Sequence, residues 1–275
     1  MASRRTTSLK RILAQARRVH QSDWFERAAR AGFAINGLLH VLIGVLAILV
    51  ATGVSSGTDD ADPSGAIQVV ADTPGGILLV WVIAAGLATL ALWLLLEAIL
   101  GHFVNGQLRT GVVVIAKAAT YGALAVPAVT IGVGGRVDSD GAVRGVSAFL
   151  VQTPIGIVVL GLAGLIVIVI GVCFVVIGVR RTFLKDIRTP SGTVGTAVIV
   201  LGVVGYIAKG VAFAAVGVLL IVTAITVDPA IAGGLDEAIR TVVQLPFGAP
   251  LLVLVAVGFI AFGLYCGVRA RRSTI

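Results

Sequence analysis

The sequence predicts an all-α, polytopic integral membrane protein: six transmembrane helices in three tandem, parallel two-helix repeats around a pseudo-threefold axis. Three observations predict it. Of 275 residues, 58% are hydrophobic and only 12% charged, with a mean hydropathy of +1.07. That is too few charges to coat a soluble globule, which is nearer a quarter charged. Six apolar runs are long enough to cross about 30 Å of hydrocarbon. Glycines and prolines recur in those runs at a fixed register.

The spans fall near 31–52, 75–97, 111–133, 155–179, 203–227 and 248–268. The second runs 22 residues without a charge from Gly75 to Leu96, about 33 Å of helix at 1.5 Å per residue. The fifth apolar stretch begins near Thr193, too long for one upright span, so its first turns are expected along the interface. The 35 glycines suit membrane helices, whose backbones approach closely at small residues. Cys173 and Cys266 both sit within apolar runs and read as small buried hydrophobes.

The repeat is legible in the first helix of each pair. GFAINGLLHVLIG starts at Gly32 and GYIAKGVAFAAVG at Gly205. Glycines align at Gly32/Gly205, Gly37/Gly210 and Gly44/Gly217, and a polar residue, Asn36 or Lys209, precedes the middle one. The middle repeat carries Lys117 at that place, with Ala118 and Ala125 for the two later glycines, and Tyr121 aligned with His40 and Phe213. Small, ring, small at i, i+3 and i+7 share one helix face. Gly37, Gly44, Gly210 and Gly217 are therefore predicted at helix–helix contacts.

The second helices open with ADTPGG, VQTPIG and VQLPFG, in which Pro74, Pro154 and Pro246 are each followed two residues later by glycine. Proline suits the first turn of a helix, where its missing N–H is not needed. A short amphipathic stretch before each proline reads as an interfacial helix. The chain thus divides into a basic N-terminal segment, 1–26, and repeats at 27–104, 105–184 and 193–270.

Charge sets the orientation. The N-terminus, the 98–110 and 180–192 loops and the C-terminal tail hold sixteen Lys/Arg, and the other three loops hold three, with nine acids. The basic end is expected in the cytoplasm of a bacterial plasma membrane, both termini inside. The net charge of +8 is this topology signature and not a nucleic-acid footprint. No cleavable signal peptide is expected. The first 30 residues hold eight Lys/Arg. They read either as a basic amphipathic helix on an anionic membrane surface or as a disordered basic tail.

Basic starts, glycine-patterned first helices and three two-helix repeats resemble the actinobacterial membrane proteins grouped as domain of unknown function 1206, over about residues 24–270. The resemblance implies the fold and no activity. Mitochondrial-type carriers share the repeat count, but their P-x-[DE]-x-x-[KR] motif is absent: PGGI, PIGI and PFGA follow the three prolines.

Little in the sequence points to chemistry. No nucleophile–base pair or acidic metal cluster stands out, and no cofactor, catalytic residue or metal site is expected. Asp59, Asp60 and Asp62 lie in GTDDADPSG, a solvated turn-rich stretch. Trp24 fits an interfacial belt. The intramembrane polar set Asn36, His40, Lys117, Lys209 and Glu97 is the functional lead. Near a shared axis, Asn36, Lys117 and Lys209 would form a ring able to hold an anion or a lipid phosphate; the plain alternative is that the lysines snorkel to headgroups. The sequence reading therefore favours a non-enzymatic structural or partner-binding membrane component, with a small-solute, ion or lipid transporter as the alternative. A water-accessible cavity reaching Lys117 and Lys209 would favour transport. A tightly packed bundle would favour the scaffold.

Overall fold

The computed structural model describes residues 23–53, 61–99, 108–187 and 191–272. The N-terminal stretch read as an amphipathic helix or tail, together with Asp59 and Asp60, lies outside them. Each repeat is a long helix, a short helix and a long helix. The first holds α1 (Asp23–Ala51), α2 (Pro63–Ala71) and α3 (Gly76–Leu96). The second holds α4 (Leu108–Gly132), α5 (Ser139–Leu150) and α6 (Pro154–Val179). The third holds α7 (Gly192–Thr226), α8 (Leu235–Val243) and α9 (Gly248–Arg272). The six long helices are all long and apolar enough to span a membrane. No strand occurs among the described residues.

Two expectations are corrected. The fifth span is one unbroken helix of 35 residues, about 52 Å long, so its first turns continue the span axis and form no separate interfacial segment. Cys173 is exposed, whereas Cys266 is buried. Cys173 lies on α6, which is apolar all round, so that hydrophobicity alone does not separate its lipid face from its protein face.

The long helices form a ring. The first helix of each repeat packs most extensively against the second helix of the repeat before it: α4 on α3, α7 on α6, and α1 on α9 to close the circle. Small residues make these seams. A Cβ on Gly210 would stand 2.5 Å from the Gly171 carbonyl oxygen, and one on Gly171 would stand 2.6 Å from that of Gly210. Gly217 and Gly164 face each other in the same way, each 2.7 Å from the other's carbonyl. At the closing seam Gly37 meets Gly263, and Gly44 meets the Ala256 carbonyl at 2.7 Å. The sequence placed these four first-helix glycines; their partners lie ten and seventeen residues after the repeat proline. The same two positions in α3 are Ala84 and Ala91, and the positions of α4 aligned with the first-helix glycines are Ala118 and Ala125. The contact is broadest at the α6–α7 seam, with glycine at all four positions, less broad at α1–α9 and least broad at the α3–α4 seam, with alanine at all four. An extra Cβ on each wall holds backbones apart, and dispersion falls off steeply with the gap.

The P-x-G signature has a steric origin. A Cβ on Gly76, Gly156 or Gly248 would collide with the carbonyl oxygen of Val70, Leu150 or Val242 in the last turn of the preceding short helix. Only glycine lets the chain reverse so tightly between the short helix and the second span.

The short helices close one end of the bundle through bonds between repeats. Asp62 caps α2 by accepting from the Gly65 N–H at 2.7 Å, and Asp138 caps α5 through Gly141 at 2.6 Å. Ser64 on α2 and Ser139 on α5 pair at 2.7 Å. The Ala61 N–H donates to Asp236 of α8 at 2.8 Å. Asp140 of α5 accepts from the N–H groups of Gly234 and Glu237 at 2.6 and 2.9 Å, and Arg144 pairs with Glu237 at 2.7 Å. Burial pushes the Asp140 carboxyl above the usual carboxylate range, and the two N–H bonds only partly counter it. Beneath this polar knot Leu39, Ile43, Ile67, Ile83, Leu87, Ile131 and Leu252 form a buried apolar core.

Candidate functional site

Toward the other end, where the described residues begin in α1 and end in α9, the core divides. Phe183, Tyr206, Phe262 and Tyr265 cluster on the side of α7 and α9. Leu90, Leu94, Val114 and Ala118 cluster between α3 and α4. A cavity of about 510 Å³ lies between, lined from all six long helices.

Its lining follows the repeat. In the first helices, Phe33, Val114 and Tyr206 occupy one aligned position, and Asn36, Lys117 and Lys209 the position three residues on; all six line the cavity. In the second helices, Leu94, Phe174 and Cys266 lie twenty residues after their repeat proline, and Glu97, Ile177 and Arg269 twenty-three after; these six line it too. The pseudo-threefold axis therefore passes through the cavity. The register explains why. Asn36, Lys117 and Lys209 each precede by one residue a small residue at the inter-repeat seam. One helical residue turns the side chain by about 100°, from the neighbouring helix toward the axis.

Lys209 reaches partners from three other long helices. Its ammonium stands 3.2 Å from His40 Nε2, 4.7 Å from the Phe262 ring centre and 5.3 Å from that of Phe174. The His40 Nδ1–H donates to the Asn36 carbonyl at 2.8 Å. A carbonyl only accepts, so the proton is assigned to Nδ1 and Nε2 is left to accept from the ammonium. The Asn36 amide donates to Cys266 Sγ at 3.7 Å. A lysine at mid-helix costs about 2.5–3.5 kcal/mol on an insertion scale. Two ring faces and a charge-assisted hydrogen bond, each worth about 1–3 kcal/mol when desolvated, offset that cost.

The five polar residues singled out in the sequence fall unequally. Asn36, His40 and Lys209 join in one chain of contacts, with Asn36 and His40 buried. Lys117 and Glu97 line the same cavity, and Lys117 is exposed. Sequence reasoning missed Arg269, which stacks over the Phe33 ring at 4.4 Å and reads as one more basic residue of the C-terminal tail. The proline register carried the missing signal: it aligns Arg269 with Glu97. Among the described residues no cluster of His, Cys, Asp and Glu could hold a metal ion. Asp62, the described member of the acidic loop triplet, caps a helix.

The threefold lining agrees with the comparison to known sequences. The pattern of the family described as Domain of Unknown Function (DUF1206) matches three times, at residues 31–101, 112–181 and 204–273. The chain belongs to this family. Each match begins in the first long helix of a repeat and ends at or just past its second. The chain is also similar to an uncharacterized protein, YxxB, of Bacillus subtilis (strain 168), with 33% identity over 248 residues that cover 88% of this chain and 89% of that protein. No solved structure matches.

Proposed function

We propose that this chain is a non-enzymatic membrane carrier that holds an anionic cargo in the threefold-lined cavity. One observation carries the reading: among the described residues, Lys117, Lys209 and Arg269 share a cavity of about 510 Å³ with a single carboxylate, Glu97. Excess positive charge in a pocket with apolar and aromatic walls attracts an anion more strongly than the same charges in water. This favours the transport alternative over the scaffold that the sequence ranked first. The buried apolar core and the polar knot of α2, α5 and α8 support a carrier closed at one end, with its site toward the other. No residue has a catalytic role in this reading.

The distribution of bases supports a bacterial plasma membrane with the cavity end toward the cytoplasm, and the Bacillus relative supports the bacterial part.

Anion binding is testable by thermal unfolding of the purified protein in dodecyl maltoside, with sodium phosphate or dodecyl phosphate added. A ligand that binds only the folded state raises the midpoint, and further as its concentration rises above its Kd. Dodecyl phosphate should raise it in the wild type and much less in Lys209→Gln. No rise with either anion in the wild type would overturn the reading.

A further inference from the structure

Among the described residues the ring has a break. In the first and third repeats the two long helices touch, α1 with α3 and α7 with α9, but α4 and α6 are not packed neighbours. These two are also the least enclosed spans, with 22% and 17% of their most apolar windows buried, against 56% for α1. The break opens into the cavity. Lys117 and Thr120 of α4 are exposed, yet both line the cavity, as Phe174 and Ile177 of α6 do.

The walls of this break differ from the rest of the lining. At the position where the other repeats carry Glu97 and Arg269, the middle repeat carries Ile177. Leu124 and Phe174 add to the apolar surface. Among the described residues, Lys117 is the one charged side chain that the middle repeat contributes to the lining. It lies nine residues into α4 from Leu108, about 14 Å along the axis. A slot with apolar walls at hydrocarbon depth is filled by acyl chains. A cation at its inner edge needs an anionic partner there.

We infer that the cargo is an anionic phospholipid that enters sideways from the bilayer between α4 and α6. The phosphate docks at Lys117, with Lys209 and Arg269 deeper in the cavity, and the acyl chains stay in the slot. The inference rests on the carrier reading and names its cargo class and its door. A water-borne anion carries the same phosphate chemistry but gains nothing from the apolar slot.

Trp93 lines the cavity and can report on it. A Trp24→Phe, Trp81→Phe protein, which keeps Trp93 alone, is reconstituted in phosphatidylcholine bilayers. Its fluorescence is then titrated with phosphatidylglycerol or phosphatidylcholine brominated on the acyl chains. The expected result is at least threefold stronger association of the brominated phosphatidylglycerol. The preference should be lost in Lys117→Gln with Lys209→Gln and retained in Lys117→Arg. Equal quenching by the two lipids in the wild-type cavity overturns the inference, and so does a preference that survives loss of both lysines. Relief of quenching by millimolar inorganic phosphate would mean that a soluble anion owns the site; the lipid assignment then fails while the anion-carrier reading stands. The carrier reading itself fails only on the separate thermal test.

Discussion

Lys209 and His40, 169 residues apart in the chain, meet at 3.2 Å through ammonium and imidazole. The contact ties the third repeat to the first at the cavity wall. It also supplies two of the five intramembrane polar residues with a partner inside the bundle.

That pair should show up as coupling. Lys209→Met leaves His40 Nε2 with no donor, and His40→Leu leaves the ammonium with only ring faces. Each should cost about 1–3 kcal/mol, the range for a buried polar group that loses its partner. The double variant should cost less than the sum. Unfolding of the four proteins in detergent closes the cycle, and strictly additive costs would show that the contact contributes nothing.

The three seams should respond in order of their small residues. Gly210→Ala drives a methyl against the Gly171 carbonyl and should cost about 1–3 kcal/mol, in the range of overpacked cores. Ala118→Gly at the aligned position of the α3–α4 seam removes a methyl where both walls are alanine, and its effect should be smaller. Midpoints of thermal unfolding distinguish the two, and a Gly210→Ala protein as stable as the parent would contradict the seam.

Asp140 gives the polar knot a pH dependence. Its carboxyl is raised above its usual value of 3.8. Between that value and the raised one, the folded protein holds a proton that the unfolded chain has released. Stability is therefore complete in acid and falls as pH rises through that window. Asp62 and Asp236 add to the upward shift, and Arg144 sits nearby on Glu237. Asp140→Asn should flatten the slope of unfolding midpoint against pH over the window that opens above 3.8. An unchanged slope would assign the dependence to the neighbouring acids.

Orientation is testable at exposed sites. In a Cys173→Ala background, cysteines at Arg136 and Asp228 should react with an impermeant thiol reagent added outside intact cells, and cysteines at Lys185 and Ser191 should not. All four positions are exposed in the fold. The inverse pattern would place the basic end outside.

Much of this fold can be read from the chain because small residues and prolines are punctuation that hydrophobicity does not blur. Gly37, Gly44, Gly210 and Gly217 stand out against Leu, Val and Ile, and each P-x-G marks a reversal that tolerates no side chain. The partners of those glycines were harder to see. Gly164, Gly171 and Gly263 are scattered among many other small residues, and only a count from the repeat proline isolates them. The cavity was half legible. Asn36, Lys117 and Lys209 align within apolar runs, where polarity is conspicuous, whereas Arg269 is hidden among Arg271 and Arg272. The break between α4 and α6 has no sequence mark, because a missing contact belongs to a pair of helices and to neither alone.

Closing the ring has a consequence for synthesis. α1 is made first, but its broadest seam is with α9, made last, and the Asn36–Cys266 contact spans 230 positions. During translation α1 must wait in the bilayer with its glycine stripe uncovered and with Asn36 and His40 lacking the Lys209 and Cys266 they later meet. The α6–α7 seam joins helices adjacent in the chain and has no such delay. The seam that seals the circle is thus the final one to form, and a ribosome halted before Gly248 would leave α1 without its main neighbour, open to capture by whatever insertion machinery or lipid stands beside it.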